Sequence, residues 1–261
     1  MKTTFFFVAL AAMLPALAAA QSSFDGTWKI DLNKVDFSKK PDVFLLQNGI
    51  YECKTCTPPY KVKADGTDQS VSGHPYFDTA AIKIVNDHEI EETDKKGGKV
   101  VTTTTVSVDG NTATITFSDS SDTNGGPPVT GKIEATLVAK GPAGSHAISG
   151  SWRTAKIANL SDNGIVWTYK ISGDELTMTS QSGQSYTAKL DGTDAPMKGD
   201  PGVTSVSVKM MGKGTLEESD KRGGKIISVQ KMTLAADGKS AKISVDDKLQ
   251  NRTTDFEAMK Q

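Results

Sequence analysis

Cys53 and Cys56 form the only Cys-x-x-Cys of the sequence and are followed by Thr57-Pro58-Pro59. Two thiols at that spacing suit a structural disulfide, thiol exchange or metal ligation. Residues three apart on an extended strand stand too far apart to bridge, so a disulfide demands a tight turn, which the proline pair helps to set. Haem attachment is excluded, because Thr57 stands where histidine is required. A metal site built from Cys53, Cys56 and His74, joined by His88, matches no standard finger spacing, and none of the 3 histidines is paired at helical spacing. The expectation is a structural disulfide and no metal, with a thiol redox or metal-binding protein as the alternative.

The loop Ser72-Gly73-His74-Pro75-Tyr76-Phe77-Asp78 gathers a histidine, two aromatics and an acid around a proline that holds the chain extended. A loop of this kind lines a binding mouth or closes over a core as a packed lid. Glu92 and Glu218 share strand faces with Ile90 and Leu216 if the pattern alternates by two, which would turn both acids toward a ligand; their closeness to Gly-Gly turns argues instead for solvated strand ends. The charged tips Asp94-Lys95-Lys96 and Asp220-Lys221-Arg222 read as solubility features. No Gly-x-Ser-x-Gly elbow, His-Glu-x-x-His or phosphate loop occurs. No catalytic residue and no cofactor are assigned.

Residues 1–20 run from Lys2 through an apolar stretch to Ala18-Ala19-Ala20, the order of a signal peptide, with cleavage expected near Ala20. The stretch is too short for a membrane span, and an exported, periplasmic or secreted chain is expected. Lysine and arginine number 30 against 31 aspartate and glutamate and are interspersed with them, which argues against nucleic acid as a partner.

The elements that would position these residues come in duplicate. Glu91–Val100 (EETDKKGGKV) returns 126 residues later as EESDKRGGKI, with 7 of 10 positions identical. Tyr60 and Tyr186 open two further segments at the same spacing, and Gly26-Thr27-Trp28 is answered by Gly150-Ser151-Trp152. Two domains follow, at 21–140 and 147–261, with 141–146 (Gly-Pro-Ala-Gly and its neighbours) as the linker. Apolar residues alternate by two, as in Trp28-Ile30-Leu32 and Ala80-Ile82-Ile84, and Asp-Gly or Gly-Gly pairs punctuate the runs. The fold class is therefore all-β: two small antiparallel meander barrels in tandem, with a β-sandwich as the alternative.

Gly-x-Trp on the first strand of such a meander, at Trp28 and again at Trp152, resembles the lipocalin and streptavidin (calycin) superfamily. The resemblance implies that each Trp packs against a basic residue of the last strand, Arg252 in the second copy and Lys132 in the first, and that a barrel interior takes a ligand. The lipocalin Thr-Asp-Tyr signature is absent. The candidate ligand-binding residues are the aromatics Trp28, Tyr60, Trp152, Trp167 and Tyr186, the loop residues His74, Tyr76 and Phe77, and the acids Glu92 and Glu218. The expected function is non-enzymatic binding of a small, partly apolar molecule, against the alternative of an envelope or extracellular protein-interaction module.

Overall fold

The computed structural model describes residues 23–261. The leader expected over residues 1–20 and its cleavage position lie outside them. No described helix is long and apolar enough to cross a membrane. The chain is all-β, with two nearly closed, ten-stranded antiparallel barrels. One 3-10 turn, Asp162–Gly164, is the only helical element among the described residues.

The first barrel is contiguous in sequence. Its strands are β2 (Asp42–Gln47), β3 (Ile50–Cys53), β4 (Tyr60–Lys63), β5 (Gln69–Ser70), β6 (Thr79–Asn86), β7 (Glu89–Lys96), β8 (Lys99–Asp109), β9 (Thr112–Asp119), β10 (Val129–Lys140) and β11 (Gly150–Leu160). β11 pairs with both β10 and β2, and an Asp65–Lys83 bridge joins the loop after β4 to β6. The second barrel comprises β12 (Val166–Ser172), β13 (Glu175–Ser180), β14 (Ser185–Lys189), β15 (Asp191–Pro196), β16 (Ser205–Met210), β17 (Thr215–Arg222), β18 (Lys225–Leu234), β19 (Ser240–Asp247) and β20 (Arg252–Lys260). Its tenth strand is β1 (Gly26–Asp36), inserted between β12 and β20.

The repeats and the barrels are thus out of phase by one strand, which corrects the expected division at 21–140 and 147–261. Each Gly-x-Trp strand completes the other copy's barrel. Trp28 is buried among Tyr169, Leu176 and Met232, whereas Trp152 is buried among Leu46, Tyr51 and Ile90. The local build is the same in both: Trp28 Nε1 donates to Phe24 O at 2.9 Å and Trp152 Nε1 to Ile148 O at 2.8 Å. Gly150, at φ +146°, abuts the neighbouring strand so closely that a Cβ would lie 2.5 Å from Ala139 O.

The connections explain the exchange. Between β1 and β2 the chain reads Phe37-Ser38-Lys39-Lys40-Pro41, without the glycine or asparagine that a tight hairpin needs, and proline holds Lys40 extended. β1 therefore runs on to the other barrel. The expected linker 141–146 is instead the turn of the β10–β11 hairpin. It is tied to the first barrel by His146 N to Leu46 O at 2.9 Å and by His146 Nε2 to Asn86 O at 2.6 Å. The barrels are joined at residues 37–41 and 161–165. The basic partners expected at the tryptophans also differ: Lys260 Nζ lies 5.0 Å from the Trp28 ring, and Leu137 faces Trp152. Arg252 instead pairs with Asp42 across the two barrels at 2.6 Å.

Candidate functional site

The first barrel encloses a cavity of about 460 Å³, within the size range of small-molecule sites. The duplication shows why it is hollow. Strand register makes Thr104 the counterpart of Gln230 and Val106 that of Met232. By the same pairing Ile133 answers Phe256, Thr154 answers Ile30, and Asp42 answers Trp167. At all five positions the smaller side chain lines the first barrel. In the second barrel the larger set Ile30, Trp167, Gln230 and Phe256 borders, with Glu218, a smaller and more open cleft of about 200 Å³.

Alternation along β7 turns Ile90, Glu92 and Asp94 inward to the cavity lining. Tyr60, on β4, donates its hydroxyl to Glu92 Oε1. Asp94 is 9% exposed, and its Oδ1 has no hydrogen-bond partner. This corrects the expectation of a solvated hairpin tip. Burial raises the pKa of Glu92, and burial together with the charge on Glu92 pushes Asp94 up to about 8. The two carboxyls titrate as a pair, since the first to ionise holds the proton on the second. Burial and the neighbouring Glu92 carboxylate hold the Tyr60 hydroxyl far above its usual range. The second barrel repeats the trio: Tyr186 donates to Glu218, and burial holds Glu218 near 8 and Asp220 near 6.

The loop 71–78 is a lid. Asp78 N donates to Lys95 O at 2.9 Å, and the Asp78 carboxylate accepts from Gly97 N at 2.9 Å, which lowers its pKa. His74 and Phe77 stack at 4.5 Å, and both meet Tyr60 edge-on, at 5.4 and 6.0 Å. Gly73, at φ +81°, presses on Pro58, two residues beyond the disulfide, where a Cβ would come within 2.9 Å of the ring. Cys53 and Cys56 are bridged, with Cα atoms 5.5 Å apart. Replacing both with serine is expected to cost about 2 kcal/mol, the loop-closure value for so short a ring, read from urea melts of the first barrel.

Among the expected residues, Tyr60, His74, Phe77, Glu92 and Trp152 meet at this cavity. The other five do not. Trp28 is wholly buried in the second core, and Tyr186 and Glu218 belong to the filled barrel, as does Trp167, whose Nε1 is buried without a partner. Tyr76 turns away from the cavity, donating to Asp200 Oδ1 at 3.1 Å and packing on Gly202 of the second barrel. Sequence reasoning missed Asp42, Phe44, Tyr51, Asp94, Thr104 and Thr154. For Thr104 a signal existed, because the 126-residue spacing that aligns the copies sets it against Gln230. No protein-family model matches the chain, and no curated protein matches it.

Proposed function

We propose that the protein is an exported, non-enzymatic binding protein of lipocalin-like design whose first barrel takes a small, partly apolar molecule, with the second barrel as a filled structural partner. The observation that carries this reading is the cavity of about 460 Å³ in one copy of a duplication against a cleft of about 200 Å³ in the other. An aromatic and aliphatic lining with a few convergent polar groups is the ordinary make-up of a ligand site. The signal-like leader and the Cys53–Cys56 bridge support export, since disulfides persist in oxidising compartments.

The test gives the first barrel the residues of the second. Thr104→Gln, Val106→Met and Ile133→Phe together are expected to fill the cavity with a set that the fold already accommodates. Titration with the uncharged fluorophore N-phenyl-1-naphthylamine should show saturable binding to the natural chain, weakened about a hundredfold or more in the triple variant, as befits a site whose volume is removed. Native mass spectrometry of the purified protein reads any retained guest directly. Binding unaffected by the triple variant would reject the reading.

A further inference from the structure

Along β7 the cavity lining changes character, from Ile90, which shares one apolar cluster with Ala135, Ile148 and Trp152, to Glu92 and Asp94. Tyr60 bonds Glu92, and the lid residues His74 and Phe77 pack on Tyr60. No lysine or arginine lines the cavity among the described residues, and a third acid, Asp42, is already paired with Arg252. His74, like Asp94, is 9% exposed, and its Nε2 has no partner; burial lowers its pKa, so it brings no positive charge to the acids at neutral pH. Two desolvated carboxyls without a cation are costly to ionise. A guest with a cationic N–H group supplies what both lack, and the ring faces of Tyr60 and Phe77 add cation–π attraction. An anionic guest meets only like charge there.

We propose that the guest is an amine on a compact apolar body, its ammonium lodged against Glu92 and Asp94 and its body toward Trp152 and Ile148. The assignment rests on reading the cavity as a binding site. Because the empty pair retains a proton near neutral pH, seating an ammonium displaces that proton. The titratable groups facing the pair are Tyr51 of β3, Tyr60 of β4, His74 of the lid, Asp42 of β2 and Asp119 of β9, whose charge also raises Asp94.

The test uses three probes on one ring system, 1-naphthylmethylamine, 1-naphthylmethanol and 1-naphthoate, titrated calorimetrically into the full chain. The amine is expected to bind about tenfold or more tightly than the alcohol near pH 8, the scale of a charge-assisted hydrogen bond, and the carboxylate not measurably. The amine's advantage should grow from pH 6 to pH 8.5, with proton release seen by comparing buffers of different ionisation heat. Glu92→Gln with Asp94→Asn should bring the amine-to-alcohol ratio to about one, whereas Glu218→Gln with Asp220→Asn should leave it intact. Equal binding of amine and alcohol, or a ratio that survives Glu92→Gln with Asp94→Asn, overturns the amine and leaves the cavity reading standing. Amine binding without proton release overturns it too, using the natural chain alone. Failure of all three probes, with no guest in the native mass spectrum, overturns the cavity reading and the amine with it.

Discussion

Residues 42–160 expressed alone are expected to fold into the first barrel with its disulfide formed, whereas fragments cut at the repeat boundary, 21–140 and 147–261, are expected to lack cooperative structure. The first span carries all ten strands of its barrel, β2 to β11. A chain ending at 140 lacks β11 and exposes the edges of β10 and β2. A chain starting at 147 lacks β1 and with it Trp28, which is 0% exposed. Truncating one buried tryptophan costs about 3–5 kcal/mol, and a lost strand also unpairs two edges; together these approach the whole stability of a domain, about 5–15 kcal/mol. The second barrel is recoverable by permutation. Gln261 N donates to Thr27 O at 2.8 Å, so a short linker from Gln261 to Ser23, with the chain opened at 37–41 and 161–165, makes it contiguous. Urea melts and near-ultraviolet dichroism compare the four chains. Should 147–261 melt as cooperatively as the permuted barrel, β11 has taken the slot of β1, and strand pairing does not hold the exchange in place.

That outcome bears on how far the sequence could be read. Alternation by two and paired turn glycines announce strands and hairpins from local chemistry, and the repeated Gly-x-Trp marks the strand that closes each barrel. Which barrel it closes is a different matter. Trp28-Lys29-Ile30 and Trp152-Arg153-Thr154 present the same inward pattern, so a copied sequence specifies a slot without specifying whose slot it fills. The weak signal lay between the strands, in Phe37–Pro41, where hairpin residues are missing. The Gly-Pro-Ala-Gly segment misled for the same reason, because a turn composition cannot distinguish a hairpin inside one barrel from a joint between two.

The site divides along similar lines. Tyr60, Glu92 and Trp152 were within reach because period-two alternation orients them once a strand is recognised. Asp94 was not, since an acid three residues before Gly97 sits in water unless something covers it. The cover is the lid 71–78, laid over β7 by the Asp78 N to Lys95 O bond, a tertiary contact with no local mark. The hollow interior was legible in part. Thr104 and Val106 align with Gln230 and Met232 at the constant 126-residue spacing, but Ile133, Thr154 and Asp42 find their counterparts Phe256, Ile30 and Trp167 only through the observed register.

Stability is expected to fall as pH rises from about 5 to about 8.5, the reverse of a protein held by surface carboxylates. Unfolded Asp and Glu titrate near 3.9 and 4.3, while burial raises Glu92, Asp94, Glu218 and Asp220 in the folded chain, Asp94 and Glu218 to about 8 and Asp220 to about 6. Between those limits the native state holds protons that the unfolded state has released, so the unfolding free energy declines with pH and levels off above the folded values. Glu218 and Asp220 titrate together, so the loss belongs to the pair and is on the order of a few kcal/mol. Asp65, Asp78 and Asp191, held low by hydrogen bonds, act oppositely and lose their contribution below about pH 4, and His74, lowered by burial, acts oppositely as pH falls through and below the ordinary histidine range, a smaller effect than that of the four raised carboxyls. The optimum should therefore fall near pH 5. Each pair sits in its own barrel, so Glu92→Gln with Asp94→Asn should flatten the profile of the first barrel and Glu218→Gln with Asp220→Asn that of the second, each raising stability at pH 8 by about 1–3 kcal/mol. Urea melts across this pH range, followed by the near-ultraviolet signals of Trp152 and of Trp28 with Trp167, separate the two. A natural chain that gains stability from pH 5 to pH 8 would mean that these carboxyls ionise freely, with water or a counter-ion beside them.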